Sequence, residues 1–280
     1  MMARVTTYRI RGKKKKGKKI VMLTAYDAPT ARILSDCGVD LILVGDSVGN
    51  TLLGYESTIP VTLDDVIHHC KAVSRARPNS LIVGDMPFMS YKVSETQALE
   101  NCGRMLQEGG AEAVKIEGGG DVVDKIAAVV DAGIPVMGHI GLTPQSIYEL
   151  GGYRVQGRTA DGAEVLVEQA KRIEEAGAFS MVIELVPTET AKLITESVGI
   201  PTIGIGAGPY CDGQVLVLWD MLGLFEDFKP KFLKKYADIR SVISEAVKAY
   251  SEEVRAGVFP DETHSFEMTE EESGRLYGRT

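Results

Sequence analysis

Five apolar runs in this chain end on a side chain able to do chemistry: LILVGD on Asp46, LIVGD on Asp85, AVKIE on Glu117, PVMGH on His139 and MVIE on Glu184. Continuous runs of Val, Ile and Leu read as strands buried on both faces. A carboxylate at the end of such a strand is costly to bury unless it is paired, protonated or holding a metal. Four in series, with a lysine and a histidine among them, describe one acidic pocket around a cation.

Asp46, Asp85 and Glu117 fall at the ends of the second, third and fourth strands. Neighbouring strands lie about 4.8 Å apart, so three carboxylates at one level reach a common ion, directly or through water. Oxygen-only ligands suit a hard divalent cation, and Mg²⁺ keeps several waters or substrate oxygens in its shell. The plainer alternative is that each carboxylate caps the next helix or pairs with a base. Lys115 and Glu117 are two apart on one strand and share a face. Inside a barrel mouth, Lys115 would meet an anion: a ligand carboxylate, or Glu117 and Asp85. Ser47 follows Asp46 and either donates its hydroxyl to the same ligand or makes a local turn. His139, flanked by glycine, is a packed strand-end residue or, as a neutral imidazole, a donor to a ketone or carboxylate oxygen. Glu184 lies two strands beyond Glu117. In an apolar setting a carboxylate titrates upward and can act as a general base; the alternative is an ion pair with a basic residue of a flanking loop.

The remaining motifs carry less. GIGAG (Gly204–Gly208) lacks the lysine of a phosphate-binding loop and the setting of a dinucleotide site, and reads as close packing or a tight turn. His68 and His69 have no metal-ligand partner at helical spacing and read as surface or packing residues.

The elements that must position these side chains follow a strand, loop, helix rhythm. Strand-like runs occupy Lys19–Ala25, Asp40–Asp46, Ser80–Met86, Ala113–Gly118, Ile134–Gly141, Ser180–Leu185 and Ile200–Gly208. QVLVLWDML (Gln214–Leu222) reads equally as an eighth strand or as the start of a buried helix. Thr62 is placed as the N-cap of a helix from about Leu63, with Asp64 and Asp65 in its first turn. Ser94 opens another, with Gln97 as a capping-box partner. Residues 47–62 form a long loop suited to cover a mouth. Seven or eight such units of about 20 to 45 residues fit an α/β fold of the (β/α)₈ barrel type, whose strand C-termini share one mouth; an open doubly wound sheet is the alternative. The expected organisation is a basic N-terminal arm over residues 1–18, a single barrel with C-terminal helices over 19–260, and a polar, flexible tail over 261–280.

A net charge of -8 argues against a general nucleic-acid binder, which wants a basic face. The local exception, Arg11–Lys19, reads as a solvated, mobile arm, or as a polyanion contact. Cys37, Cys70, Cys102 and Cys211 lack CxxC spacing, so reduced thiols in a cytoplasmic protein are expected. No apolar stretch approaches the ~20 residues needed to span a bilayer, and no signal-peptide segment follows the basic start.

The strings LTAYDAPTA, LVGDSVGNTLLGYESTIPVTLDD, GDMPFMSY, VKIEGG, GHIGLTPQS, GGYRVQGR, IGIGAGPYCDGQVLV and GVFPDETHSF resemble those of the ketopantoate hydroxymethyltransferases, from about Lys18 to Phe266. The resemblance implies a (β/α)₈ TIM barrel of the phosphoenolpyruvate/pyruvate-binding type, assembled as a homodecamer of two pentameric rings. It implies Mg²⁺ on Asp46, Asp85 and Glu117, a 2-oxo acid among Asp46, Ser47, Asp85, Lys115 and His139, and Glu184 as proton acceptor. The implied reaction moves a hydroxymethyl group from 5,10-methylenetetrahydrofolate to 3-methyl-2-oxobutanoate, giving 2-dehydropantoate for pantothenate and coenzyme A synthesis. The rivals are a Mg²⁺-dependent C–C lyase or mutase resembling isocitrate lyase, whose KKCGH-like string is absent here, and a 2-oxo acid binding protein with no use for a base at Glu184.

Overall fold

The computed structural model describes residues 4–225 and 230–278. Eight parallel strands close into a barrel in chain order: β1 (Ile20–Thr24), β2 (Leu41–Val44), β3 (Leu81–Asp85), β4 (Ala113–Glu117), β5 (Val136–Gly141), β6 (Ser180–Glu184), β7 (Thr202–Ile205) and β8 (Gly213–Leu216). The run after Gln214 is thus both things its pattern allowed: β8 ends at Leu216 and a short helix, Leu218–Met221, begins.

The apolar runs are continuous because the two faces of each strand serve two cores. Leu41 and Leu43 of β2 point inward with Met22, Leu81, Val83, Met137, Val182 and Ile203 and fill the barrel. The alternate residues Ile42 and Val44 pack outward with Ile82, Val114 and Ile116 against the helices. Helix starts follow the chain's own signals. Thr62 and Asp65 form a reciprocal capping box on Leu63–Arg75. Ser94 caps Glu95–Gln107, although Gln97 Oε1 accepts from Val93 N rather than from Ser94 N. The stretch after Asp46 contains a short helix, Val48–Thr51, where an uninterrupted loop was expected.

The basic N-terminus is not a solvated arm. Thr7–Lys15 is a helix capped by Thr6, with lysines in its last turn, where the helix dipole favours positive charge. Its Ile10 is fully buried and joins the barrel-interior core from the strand N-terminal end. Lys13 pairs with Asp40 just before β2, and Lys14 Nζ bonds the carbonyls of Thr195 and Ile200 at 2.9 and 3.1 Å and the Asp212 carboxylate at 3.0 Å. Arg11 donates to the Ala178 carbonyl at 2.9 Å. These acceptors sit where strands begin, so the charge run completes the barrel floor.

At the other end of the chain, Ile239–Ala256 is an 18-residue helix without a single buried side chain. Ile243, Val247, Tyr250 and Val254 form an exposed apolar stripe along it. Correspondingly, Val21 of β1 and Gln214 of β8 face outward, and no helix of the described residues covers them. The polar tail carries a 3₁₀ turn, Glu262–His264, and a helix, Glu270–Leu276, capped by Thr269.

Candidate active site

Strand register brings the predicted residues together. Asp85 lies beside Lys115, Glu117 beside His139, and Gly141 beside Glu184 in the β3–β4, β4–β5 and β5–β6 pairings. Lys115, Glu117 and His139 therefore project at the C-terminal mouth together with Asp46 and Asp85, and all five are at most 4 % exposed. With Ser47 and Glu184 they line one cavity of about 530 Å³.

Lys115 Nζ is 2.8 Å from Asp85 Oδ1 and 3.3 Å from Glu117 Oε1. Of the anions expected for this lysine, the carboxylates of Asp85 and Glu117 are in place. Burial lowers the lysine's proton affinity, but Asp85, Glu117 and Asp46 outweigh it and hold the ammonium charged. His139 stands between two carboxylates, Nδ1 3.2 Å from Glu117 Oε1 and Nε2 3.2 Å from Glu184 Oε2. Burial and Lys115 oppose its protonation; Glu117 and Glu184 prevail and raise its pKa to about 9. The expected neutral imidazole meets two acids that favour its second proton, while Lys115 Nζ, 3.3 Å from Nδ1, opposes it. Burial also acts on Glu117, where Lys115 and His139 override it and lower its pKa to about 2.

Asp46 and Asp85 behave oppositely. Burial, then the neighbouring carboxylates, push Asp46 well above the ordinary range, and burial raises Asp85 against the pull of Lys115. Asp85 Oδ2 accepts from Asp46 N at 3.1 Å. Its Oδ1, although close to Lys115, has no aligned hydrogen-bond donor among the described residues. Two crowded, desolvated carboxylates with a free oxygen are the donor set a hard divalent cation neutralises. Among the described residues no three His, Cys, Asp or Glu side chains are arranged to hold a metal by themselves. Glu117 is turned toward Lys115, His139 and Gln145, so its expected metal role would run through water.

Glu184 was expected in an apolar setting or against a loop cation; it is partly exposed and faces His139. Its backbone is locked. Leu185, next in the chain, adopts φ 48°, a conformation costly for a branched side chain. It is held there because Leu185 N donates to Ile205 O at 2.9 Å, Gln156 N to Leu185 O at 3.0 Å and Leu142 N to Glu184 O at 2.8 Å. Gly141, at φ 92°, is required on the facing strand: a Cβ there would collide with the Glu184 carbonyl.

Ser47 shares its hydroxyl with Tyr26 Oη at 2.9 Å. Four further residues carry the site and were not singled out from sequence. Gln145 Nε2 donates to Asp46 Oδ2 at 3.0 Å and to Met86 O at 2.9 Å, and its backbone N donates to Glu117 Oε2 at 3.3 Å. Tyr91 Oη lies 2.9 Å from Gln145 Oε1 and 3.0 Å from Glu117 O. Tyr26 orients Ser47, and Asp220 lines the cavity from the helix after β8. A polar residue in a loop gives no periodic signal, so only the closed barrel shows Gln145 and Tyr91 to be buried. His69 is a packing residue, its Nδ1 2.8 Å from Tyr26 O. In GIGAG, Gly206 and Gly208 turn at positive φ, and a Cβ on Gly208 would strike Thr188.

All four cysteines are free. No helix among the described residues is long and apolar enough to cross a membrane. Solved structures with this architecture include phosphonopyruvate hydrolase in complex with oxalate and Mg²⁺, at TM-score 0.61 and 12% identity over 98% of this chain and 95% of that one. 2,3-Dimethylmalate lyase, a PEP mutase/isocitrate lyase superfamily member, aligns at TM-score 0.59 and 17% identity over 99% and 93%. At these identities the likeness concerns the fold. The sequence relatives are far nearer. The 3-methyl-2-oxobutanoate hydroxymethyltransferase of Thermoanaerobacter sp. (strain X514) is 55% identical over 273 residues, 98% of this chain and all of that one. That of Syntrophus aciditrophicus (strain SB) is 56% identical over 94% and 97%. The sequence profile of one family matches residues 4–262. With near-complete coverage at this identity, on a closed barrel whose mouth gathers the acids, lysine and histidine of the shared motifs, the chain belongs to the ketopantoate hydroxymethyltransferase family of enzymes.

Proposed function

We propose that the enzyme moves a hydroxymethyl group from 5,10-methylenetetrahydrofolate to 3-methyl-2-oxobutanoate, giving 2-dehydropantoate on the route to pantothenate and coenzyme A. The observation that carries this is the grouping at the mouth: a base, Glu184, beside His139, in one cavity with a buried lysine and crowded carboxylates. Asp46 and Asp85, with Glu117 through water, would hold Mg²⁺; when bound, the cation draws electron density toward the oxygens of the oxo acid and lowers the acidity barrier at C3.

The chain's own residues supply the rest. Lys115 offers its ammonium to the substrate's carboxylate or keto oxygen, where negative charge grows as the C3 proton leaves. Glu184 takes that proton. His139 Nε2, 3.2 Å from Glu184 Oε2, faces it across the mouth until then. The carbanion carbon attacks the one-carbon unit, water supplies the hydroxyl oxygen, and the proton on Glu184 ends on the new hydroxyl. Ser47, fixed by Tyr26, offers a further donor to the oxo acid. The short helix Val48–Thr51 and the loop after it form the near wall of the cavity and limit water entry.

Self-association belongs to the same reading. The exposed apolar stripe Ile243–Val254 and exposed Val21 on β1 are surfaces that a second copy would bury, which supports the decamer the family resemblance implies. The free thiols accord with a reducing, cytoplasmic setting.

Deuterium exchange at C3 of 3-methyl-2-oxobutanoate, without folate, tests the reading. The wild-type enzyme should catalyse exchange with Mg²⁺ and lose it in EDTA, and Glu184→Gln should bind the oxo acid without exchanging it. Exchange at the wild-type rate in that variant would remove Glu184 from the mechanism.

A further inference from the structure

Asp220 stands apart from the acids at the strand ends. It sits on the helix Leu218–Met221 after β8, is 8 % exposed, and lines the same cavity. Its Oδ1 is out of contact with water and has no hydrogen-bond partner among the described residues. Burial alone raises its pKa, to about 6. Nearby polar groups are engaged elsewhere: Tyr26 Oη with Ser47, and Thr24 Oγ1 as acceptor from Leu218 N at 3.0 Å. A buried carboxyl without a partner destabilises the fold, and a native structure keeps one where a ligand or reaction uses it.

The proposed reaction needs an acid that the strand-end residues do not supply. Its donor is an aminal, one carbon between two amine nitrogens. Neither nitrogen leaves as an anion, so each must gain a proton as its C–N bond breaks. Glu184 holds the C3 proton for the new hydroxyl, while Lys115 and His139 are engaged with Asp85, Glu117 and Glu184.

We propose that Asp220 is the acid that serves the one-carbon donor, giving a proton to its amine nitrogen as the C–N bond breaks. This rests on the reading of the donor as a reduced folate. The first C–N bond breaks with its electron pair on nitrogen, which takes the Asp220 proton and leaves an iminium carbon. Water adds to that carbon and returns a proton to Asp220. The second C–N bond then breaks, nitrogen taking the electron pair and the Asp220 proton, while the carbinol hydroxyl proton goes back to Asp220. One water is consumed, nothing is oxidised or reduced, and formaldehyde is released beside the C3 carbanion with Asp220 protonated as at the start. Tyr55, Phe225, Phe232 and Leu233, which also line the cavity, provide an apolar surface for the donor's ring system.

The test compares wild type, Asp220→Asn and Asp220→Glu in three assays on the full-length enzyme: C3 deuterium exchange, addition to free formaldehyde, and transfer from methylenetetrahydrofolate. In Asp220→Asn, exchange and formaldehyde addition should survive, while the folate-dependent kcat falls about 10²- to 10⁴-fold, the usual contribution of a general acid. The folate KM should hold steady, and Asp220→Glu should recover part of the loss. A folate-dependent kcat that survives overturns the proposal, as does a rise in folate KM alone, which would make Asp220 an anchor. Loss of all three activities makes its role structural and also overturns it. A wild-type enzyme active with formaldehyde but inert with the folate would defeat the donor reading, and the proposal with it.

Discussion

Replacing Lys115 by methionine removes the one ammonium set among three buried carboxylates while keeping most of the side-chain volume. Its Nζ lies 2.8 Å from Asp85 and 3.3 Å from Glu117, and it is 4 % exposed. Breaking a buried pair from one side costs about 3–5 kcal/mol, since the remaining charge has no partner. Protonation sets a ceiling. A carboxylate with an ordinary pKa of about 3.9 can take up a proton at pH 7 for about 3.1 × 1.36, or roughly 4 kcal/mol. The two figures agree, so the variant should be about 4 kcal/mol less stable than wild type at pH 7 in EDTA. The same arithmetic at pH 5 leaves about 1.5 kcal/mol. The sign follows from linkage: the folded variant holds a proton that the unfolded chain has released, so its stability falls as pH rises. Urea unfolding of both proteins at pH 5 and pH 7, in EDTA and in Mg²⁺, measures this. The cation should restore part of the loss by replacing the missing positive charge. A variant as stable as wild type at pH 7 in EDTA, or one whose deficit is the same at both pH values, would refute the electrostatic account of the mouth.

Gly141→Ala would drive a Cβ into the Glu184 carbonyl; kcat should fall at least about tenfold, equal to 1.4 kcal/mol of displaced base, with near-native circular dichroism, and full activity would show that Glu184 is not held by this contact. Ile10→Ala should cost about 2–5 kcal/mol by opening a cavity in the barrel floor, while C3 exchange in the folded protein stays at the wild-type rate; a change under 0.5 kcal/mol would mean the N-terminal helix does not close the barrel. Asp220 has a folded pKa of about 6 against about 3.9 unfolded, so between these values the folded chain retains a proton the unfolded chain gives up, and stability falls as pH rises through this window. Asp220→Asn should therefore match wild type near pH 4 and exceed it by about 1–3 kcal/mol at pH 7.5, allowing for residual solvent screening; equal stability at pH 7.5 would show that the carboxyl is not held out of water.

Strands β2 to β6 and their order were legible in the chain because each is buried on both faces, which leaves an unbroken apolar run ending at a polar residue, whereas β8, exposed at Gln214, read equally as a helix. Asp46, Asp85, Lys115, Glu117, His139 and Glu184 stand out for the same reason: a charged residue after such a run contradicts its surroundings. Local chemistry likewise marked the caps at Thr62 and Ser94. Tertiary structure alone decided what these groups do to one another. The state of His139 depends on Glu117 and Glu184, 22 and 45 positions away, both meeting it through strand register. Gln145, Tyr91 and Asp220 sit in loops or short helices whose composition marks nothing, and they matter only because the closed barrel buries them against the mouth. The lysines before β1 read as solvated charge, because the carbonyls and carboxylates that receive them, at Asp40, Thr195, Ile200 and Asp212, are gathered from distant stretches. Periodicity and end chemistry are properties of neighbours along the chain; pairing, proton affinity and burial are properties of neighbours in space, and closure of the barrel is what makes the second set.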